Sequence, residues 1–200
     1  MDFLAILDYE HLDNGVFLSS FAKSLSRKKK RGIIIHGDSQ HTERIIQTGV
    51  MRKDAEIRAI KELNHRLVAL FADEGISTIA LNGFQKSLLT IDNDTVQFDK
   101  KQIDALPDQP MILLSNLALD LKVKSYRPLP LSDMAVVVAE NFGIDAITVF
   151  NKDKSSDFIK QDFPETLRIE KIDASLVKKH IPKHLRGISM PIRIKSASTF

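Results

Sequence analysis

Gly32-Ile33-Ile34-Ile35-His36-Gly37-Asp38-Ser39 is the stretch on which the fold turns. Its first four residues are continuous, apolar and β-branched after the glycine, a pattern that suits a strand buried on both faces of a parallel sheet. The polar turn over 36–41 then opens a helical stretch. Asp54 is placed to cap a helix reaching residue 73, in which Ile57, Ile60, Leu63, Leu67, Leu70 and Phe71 recur every three or four positions. Gly75 stops that helix, and residues 77–81 resume as a strand. Upstream, 3–7 is a short apolar run, and 16–26 sets Phe17, Leu18, Phe21, Ala22 and Leu25 at helical spacing.

The same alternation continues to the C-terminal side. Leu88-Leu89-Thr90-Ile91 and Thr95-Val96-Gln97-Phe98 flank Asn93-Asp94 as a hairpin. Pro107 and Pro110 bracket a linker into Met111-Ile112-Leu113-Leu114, a third buried strand, and 126–130 is expected to be a loop with two prolines. A helix starting at Ser132 or Asp133 runs to Phe142 and ends at Gly143, and Ala146-Ile147-Thr148-Val149-Phe150 is a fourth strand. Residues 174–180 form a short helix. The sum is an α/β protein with a mostly parallel sheet covered on both faces.

Composition removes several function classes. The 200 residues include no cysteine, so disulfide frameworks and thiolate metal centres are excluded. With 43% hydrophobic and 28% charged residues the chain is globular rather than disordered. No apolar run approaches the roughly 20 residues of a membrane span, and the first residues lack a signal peptide's basic flank, so the expected compartment is the cytoplasm. A net charge of +3 argues for neither a nucleic-acid nor an acidic partner. The basic run Arg27-Lys28-Lys29-Lys30-Arg31 has two readings, a phosphate-binding patch or a solvated helix C-terminus. The second is favoured by its place between a helix and a strand and by the lack of interleaved aromatic residues.

In open parallel sheets ligands bind beyond the carboxyl ends of the strands. Those positions are His36-Gly37-Asp38-Ser39, Asn82-Gly83, Ser115-Asn116 and Asn151-Lys152-Asp153-Lys154, all polar. His36 and His41 have no carboxylate pair at metal-ligand spacing, and Pro182 interrupts His180 and His184, so no metal site is expected. The absence of Gly-x-Ser-x-Gly argues against a serine hydrolase.

The succession Ile33-Ile34-Ile35-His36-Gly37-Asp38, Glu62-Leu63-Asn64-His65-Arg66-Leu67-Val68, Ile79-Ala80-Leu81-Asn82-Gly83, Leu131-Ser132-Asp133-Met134-Ala135 and Gly143-Ile144-Asp145-Ala146 resembles the amino acid kinase family, and its acetylglutamate kinases most. The resemblance spans nearly the whole chain in colinear order. It implies a three-layer αβα sandwich, phosphoryl transfer from ATP with Mg to a carboxylate or phosphate of a small metabolite, and a homodimer. It also implies one amino acid kinase-like domain over 1–200, with 1–130 as the acceptor-substrate lobe and 131–200 as a truncated nucleotide lobe.

Carried over by residue, the family's His-Gly-Gly-Gly turn is similar to His36-Gly37-Asp38-Ser39, with only Gly37 kept and a carboxylate added at Asp38. Its Asn-x-Asp matches Leu131-Ser132-Asp133, retaining the organising aspartate as Asp133. Its first-strand Lys-x-Gly-Gly is replaced by Ile6-Leu7-Asp8-Tyr9-Glu10. Its late Gly-Gly-Met-x-x-Lys is similar to Ile188-Ser189-Met190-Pro191-Ile192-Arg193, and Arg52 is the remnant of a substrate-carboxylate clamp. The chain ends soon after Arg193, so the strand and helix that close the nucleotide lobe are expected to be missing.

The implied site is therefore Asp133, Arg193 and Lys152 for catalysis, Gly37, Asp38, Arg52, Asn82, Gly83 and Asn116 for substrate, and Asn151, Lys152, Lys154 and Arg193 for the nucleotide. Asp133 is equally readable as a helix N-cap, and Asn64 as a backbone partner at a helix crossing. Loss of the lysine and gain of Asp38 oppose the electrostatics of phosphoryl transfer. The expected function is an impaired or non-catalytic acetylglutamate kinase-like protein that keeps a ligand cleft. The alternative is an active small-molecule kinase in which Lys152, Lys154 or Arg193 supplies the lost charge.

Overall fold

The computed structural model describes residues 1–28, 30–39, 42, 45, 53–151 and 166–200. Among these the elements in chain order are β1 (Phe3–Leu7), α1 (Tyr9–Leu12), α2 (Gly15–Ser26), β2 (Gly32–His36), α3 (Lys53–Asp73), β3 (Thr78–Asn82), β4 (Leu89–Asp92), β5 (Thr95–Phe98), α4 (Lys100–Asp104), β6 (Met111–Ser115), β7 (Leu117–Asp120), β8 (Ser125–Pro128), α5 (Leu131–Phe142), β9 (Ile147–Phe150), α6 (Ala174–His180) and β10 (Ile192–Lys195).

Six strands form one parallel sheet in the order β10-β9-β1-β2-β6-β3. β1, β2 and β6 are buried along their whole length, which is why their sequences are unbroken apolar runs. Strand alternation divides them between two cores. Leu4, Ile6, Ile33, Ile35, Ile112 and Leu114 pack with α5 on one face. Phe3, Ala5, Leu7, Ile34, Met111 and Leu113 pack with α2 and α3 on the other, where Phe21, Phe71, Phe150 and Phe200 interlock. The three-layer αβα sandwich and its mostly parallel sheet are thus as expected. Among the described residues no helix is long and apolar enough to cross a membrane.

A second sheet of order β5-β4-β7-β8 stands beside the first. It corrects the expected loop over 126–130, because Ser125–Pro128 is an edge strand paired antiparallel with β7. Proline is tolerated there, where an edge leaves one row of backbone donors unpaired. β7 is hidden in the sequence because only Asn116 separates it from β6, which leaves no turn signal between the two strands. Two further corrections concern the C-terminal part. Ile192 and Arg193, the last residues of the segment likened to the family's late motif, open a strand, Ile192–Lys195, that pairs with β9 at the edge of the main sheet. Helix α5 begins at Leu131 with Pro130 as its N-cap, so Asp133 lies inside the first turn and is not the cap.

Candidate functional site

The carboxyl ends of four strands lie in register, with Leu7 beside His36, His36 beside Ser115 and Ser115 beside Asn82. Polar groups follow at once. Asp8, His36, Asp38, Asn64, Ser115 and Asn116 are all buried, an unusual concentration for one edge. Most of it is tied internally. Ser115 Oγ donates to Asn82 Oδ1 at 2.9 Å, and Asn116 Nδ2 donates to the Leu129 carbonyl at 2.7 Å, anchoring the segment that enters α5. Asn64 Nδ2 donates to the Leu81 carbonyl, a backbone partner as expected but on strand β3 rather than at a helix crossing, while its Oδ1 lies 3.0 Å from His36 Nε2. Burial holds the His36 imidazole below its ordinary pKa, against the opposing pull of the Gly37 carbonyl and Asn64.

Gly37 is where a phosphoryl-binding turn would leave space for a ligand. The space is taken. A Cβ on Gly37 would stand 3.1 Å from Tyr9 Cε2, 3.2 Å from Asn116 Nδ2 and 3.3 Å from the Tyr9 hydroxyl. A face of the Tyr9 ring stacks on His184, with centroids 4.1 Å apart. His184 Nδ1 lies 3.4 Å from Asp8 Oδ1, whose side chain is 1% exposed, and Asp8 also caps α1 through the Glu10 amide. The end of β1 therefore presents a shielded carboxylate, a tyrosine ring and an imidazole as one packed unit.

Asp38 is the second buried carboxylate. Its Oδ1 accepts from the Ser39 amide at 2.7 Å, while Oδ2 is shielded from solvent and, among the described residues, has no hydrogen-bond donor. Burial pushes its pKa up to about 6, against the bonds from Ser39 and Thr42, and the charges of Glu56 and Asp13 add to the rise. It borders a cavity of ≈ 160 Å³ shared with Thr42, Glu62 and Arg66.

The remaining expected site residues divide. Gly37, Asp38, Asn82 and Asn116 meet along this edge, as strand order requires. Gly83 follows β3, but a Cβ there would strike Leu89 Cδ1 at 2.5 Å and the Leu117 carbonyl at 2.6 Å, so packing rather than a ligand demands the glycine. Asn151 ends β9 and is engaged by two histidines, its carbonyl 3.3 Å from His11 Nε2 and its Oδ1 3.3 Å from His180 Nδ1. Asp133 is exposed in the first turn of α5 and accepts from Ser132 Oγ.

Arg193 is not brought to Asp133. Ile192 and Ile194 share the α5 face, so the two-residue period of β10 turns Arg193 to the opposite face, where its charge is felt by Lys28 and its Nε donates to Thr166 Oγ1 at 3.4 Å. Grouping these two as catalytic partners is corrected on that ground. Arg52, Lys152 and Lys154, together with His41, lie outside the described residues. Tyr9 and His184 escaped sequence reasoning as a pair. They lie far apart in the chain, and no spacing signals their stack.

No protein-family model matches the sequence, and no curated protein matches it. Solved structures do. An isopentenyl phosphate kinase superposes over 100% of this chain and 92% of its own, with 11% identity and a TM-score of 0.65. The isopentenyl phosphate kinase of T. acidophilum, in a product complex, covers 98% and 92% at 14% identity and a TM-score of 0.60. Aspartate kinase from Synechocystis reaches a TM-score of 0.72 at 11% identity over 98% of this chain, which spans only 38% of the Synechocystis chain.

The chain has the amino acid kinase fold. At such identities the likeness fixes the architecture and leaves the chemistry to the side chains. ATP with Mg goes with a kinase of this fold, and the described residues at the end of β1 and the Gly37 turn do not fit its phosphates. Two shielded carboxylates and the Tyr9 ring stand where anionic oxygens would need donors and room.

Proposed function

We propose that this chain is an acetylglutamate kinase-like protein impaired in phosphoryl transfer, which uses the amino acid kinase fold to hold a small metabolite at the carboxyl edge. One observation carries the proposal, the Tyr9 ring seated against Gly37 and backed by His184 and Asp8. A transferring phosphoryl group needs convergent donors and cations, whereas this unit sets the edge of a tyrosine ring and a buried carboxylate there. The ligand side belongs to residues 1–130, with Asp38, Glu62 and Arg66 around the ≈ 160 Å³ cavity. A cytoplasmic homodimer goes with this reading. β3 supports the dimer, because among the described residues it is the open edge of the main sheet and its Ile79, Ala80 and Leu81 are only half-buried.

An active kinase with rewired contacts is the second reading. Its support is His184, which beside Asp8 can carry a positive charge at the end of β1. A coupled ADP-release assay with Mg-ATP and acetylglutamate, aspartate or isopentenyl phosphate separates the two. We expect no turnover above background with any acceptor. Turnover of about 1 per second, within the usual range for kinases, that is lost in His184→Gln would establish the second reading.

A further inference from the structure

Of the basic run Arg27-Lys28-Lys29-Lys30-Arg31, the described residues Arg27, Lys28, Lys30 and Arg31 have no part in the carboxyl-edge site, because they stand at the opposite end of the sheet, where β2, β3 and β6 begin. A cavity of ≈ 500 Å³ opens there, lined among others by Lys28, Lys30, Arg31, Ser77, Asp108 and Gln109. That volume is in the range of small-molecule sites.

A helix end explains part of the charge and not the rest. Arg27 is the C-cap of α2, where a cation offsets the helix dipole. Lys28 is also placed, its Nζ 3.6 Å from the centroid of the Phe200 ring and 4.8 Å from that of Phe3. Burial pushes the Lys28 pKa down, and the like charges of Lys195, Lys30 and Arg193 add to the fall.

Arg31 uses only part of its fork. Nη1 donates to Asp108 Oδ1 at 3.0 Å, while Nε and Nη2 are shielded from solvent and, among the described residues, have no acceptor. The Asp108 side chain is 97% exposed, so this ion pair is of the screened kind that a stronger anion displaces at little cost. Those two donors meet a ligand once the guanidinium turns from Asp108 into the cavity, and a polyvalent oxyanion is the partner whose geometry matches the fork.

We infer that this amino-edge cavity binds a small polyvalent oxyanion of the phosphate class, held by Arg31 and Lys30, with Ser77 and Gln109 as neutral donors. It lies a full strand length from Gly37 and Asp38, so it is independent of whatever the carboxyl edge binds.

Calorimetry of the full chain with metal-free inorganic pyrophosphate at low salt tests the assignment. We expect saturable binding that weakens at least roughly tenfold in Arg31→Gln and in Lys30→Glu, the size of losing one charge-assisted contact. Lys30 is exposed, so its variant leaves the fold intact. Asp108→Asn should tighten binding several-fold by releasing the guanidinium, a gain that a purely structural role for Arg31 does not produce. No saturable heat at millimolar pyrophosphate would overturn the assignment. So would binding that all three variants leave unchanged, which would locate the anion elsewhere.

Discussion

Tyr9 presses the edge of its ring against the bare α-carbon of Gly37, so close that a Cβ at residue 37 would lie 3.1 Å from Tyr9 Cε2. A glycine in such a turn reads from sequence as room for a ligand, and in the folded chain the room belongs to the tyrosine. The two positions should therefore be energetically coupled. We expect Gly37→Ala to cost on the order of 1–2 kcal/mol by overpacking, and distinctly less when Tyr9→Ala has removed the ring. Urea denaturation of both single variants and the double variant measures the coupling. Strict additivity would show that the ring does not occupy that space in solution.

The raised pKa of Asp38, about 6, makes a signed statement about stability. Between the unfolded value near 4 and the native value, the folded chain holds a proton that the unfolded chain releases, so stability falls as pH rises through 6. Asp38→Asn removes this titration. We expect the variant to be more stable than the parent at pH 8, by on the order of 1 kcal/mol after solvent screening, with the difference vanishing near pH 4. Thermal unfolding across that pH range checks it. A variant that is less stable at pH 8 would mean that the carboxylate is satisfied as an anion.

Gly83 offers the plainest contrast between a ligand glycine and a packing glycine. Its would-be Cβ meets the Leu117 carbonyl, which is backbone and cannot swing aside, at 2.6 Å. We expect Gly83→Ala to destabilise by about 2–3 kcal/mol, the upper range for an overpacked site. A shift of the denaturant midpoint reports it. An unchanged midpoint would return Gly83 to the list of candidate ligand contacts.

What the sequence disclosed follows from local periodicity. Ile33-Ile34-Ile35 and Met111-Ile112-Leu113-Leu114 declared buried parallel strands, and the stripe from Ile57 to Phe71 declared α3, because each signal is complete within one element. The hairpin at Asn93-Asp94 was legible for the same reason, and both turn residues adopt positive φ, 45° and 63°. β7 and β8 were hidden where a strand follows another without a break and where proline sits on an edge. The site was legible as a line of strand ends, since register follows from the sheet. Its chemistry was not, since the Tyr9–His184–Asp8 unit is made by residues about 175 positions apart whose meeting only the tertiary fold decides. Arg193 is kept from Asp133 for a local reason, because a strand's alternation sends it to the other face.

The packed Tyr9 ring makes one demand that no substrate has to be known to test. If it and the carboxylates of Asp8 and Asp38 exclude a nucleotide's phosphates, calorimetric titration with Mg-ATP of the full chain carrying Lys30→Glu and Arg31→Gln, which removes the amino-edge anion site, should give no saturable heat up to millimolar nucleotide, a dissociation constant weaker than about 1 mM, or roughly 4 kcal/mol of binding free energy at most. A saturable heat with micromolar affinity that Tyr9→Phe or Asp38→Asn alters would contradict it, and would show that the ring and the carboxylates make way for the nucleotide.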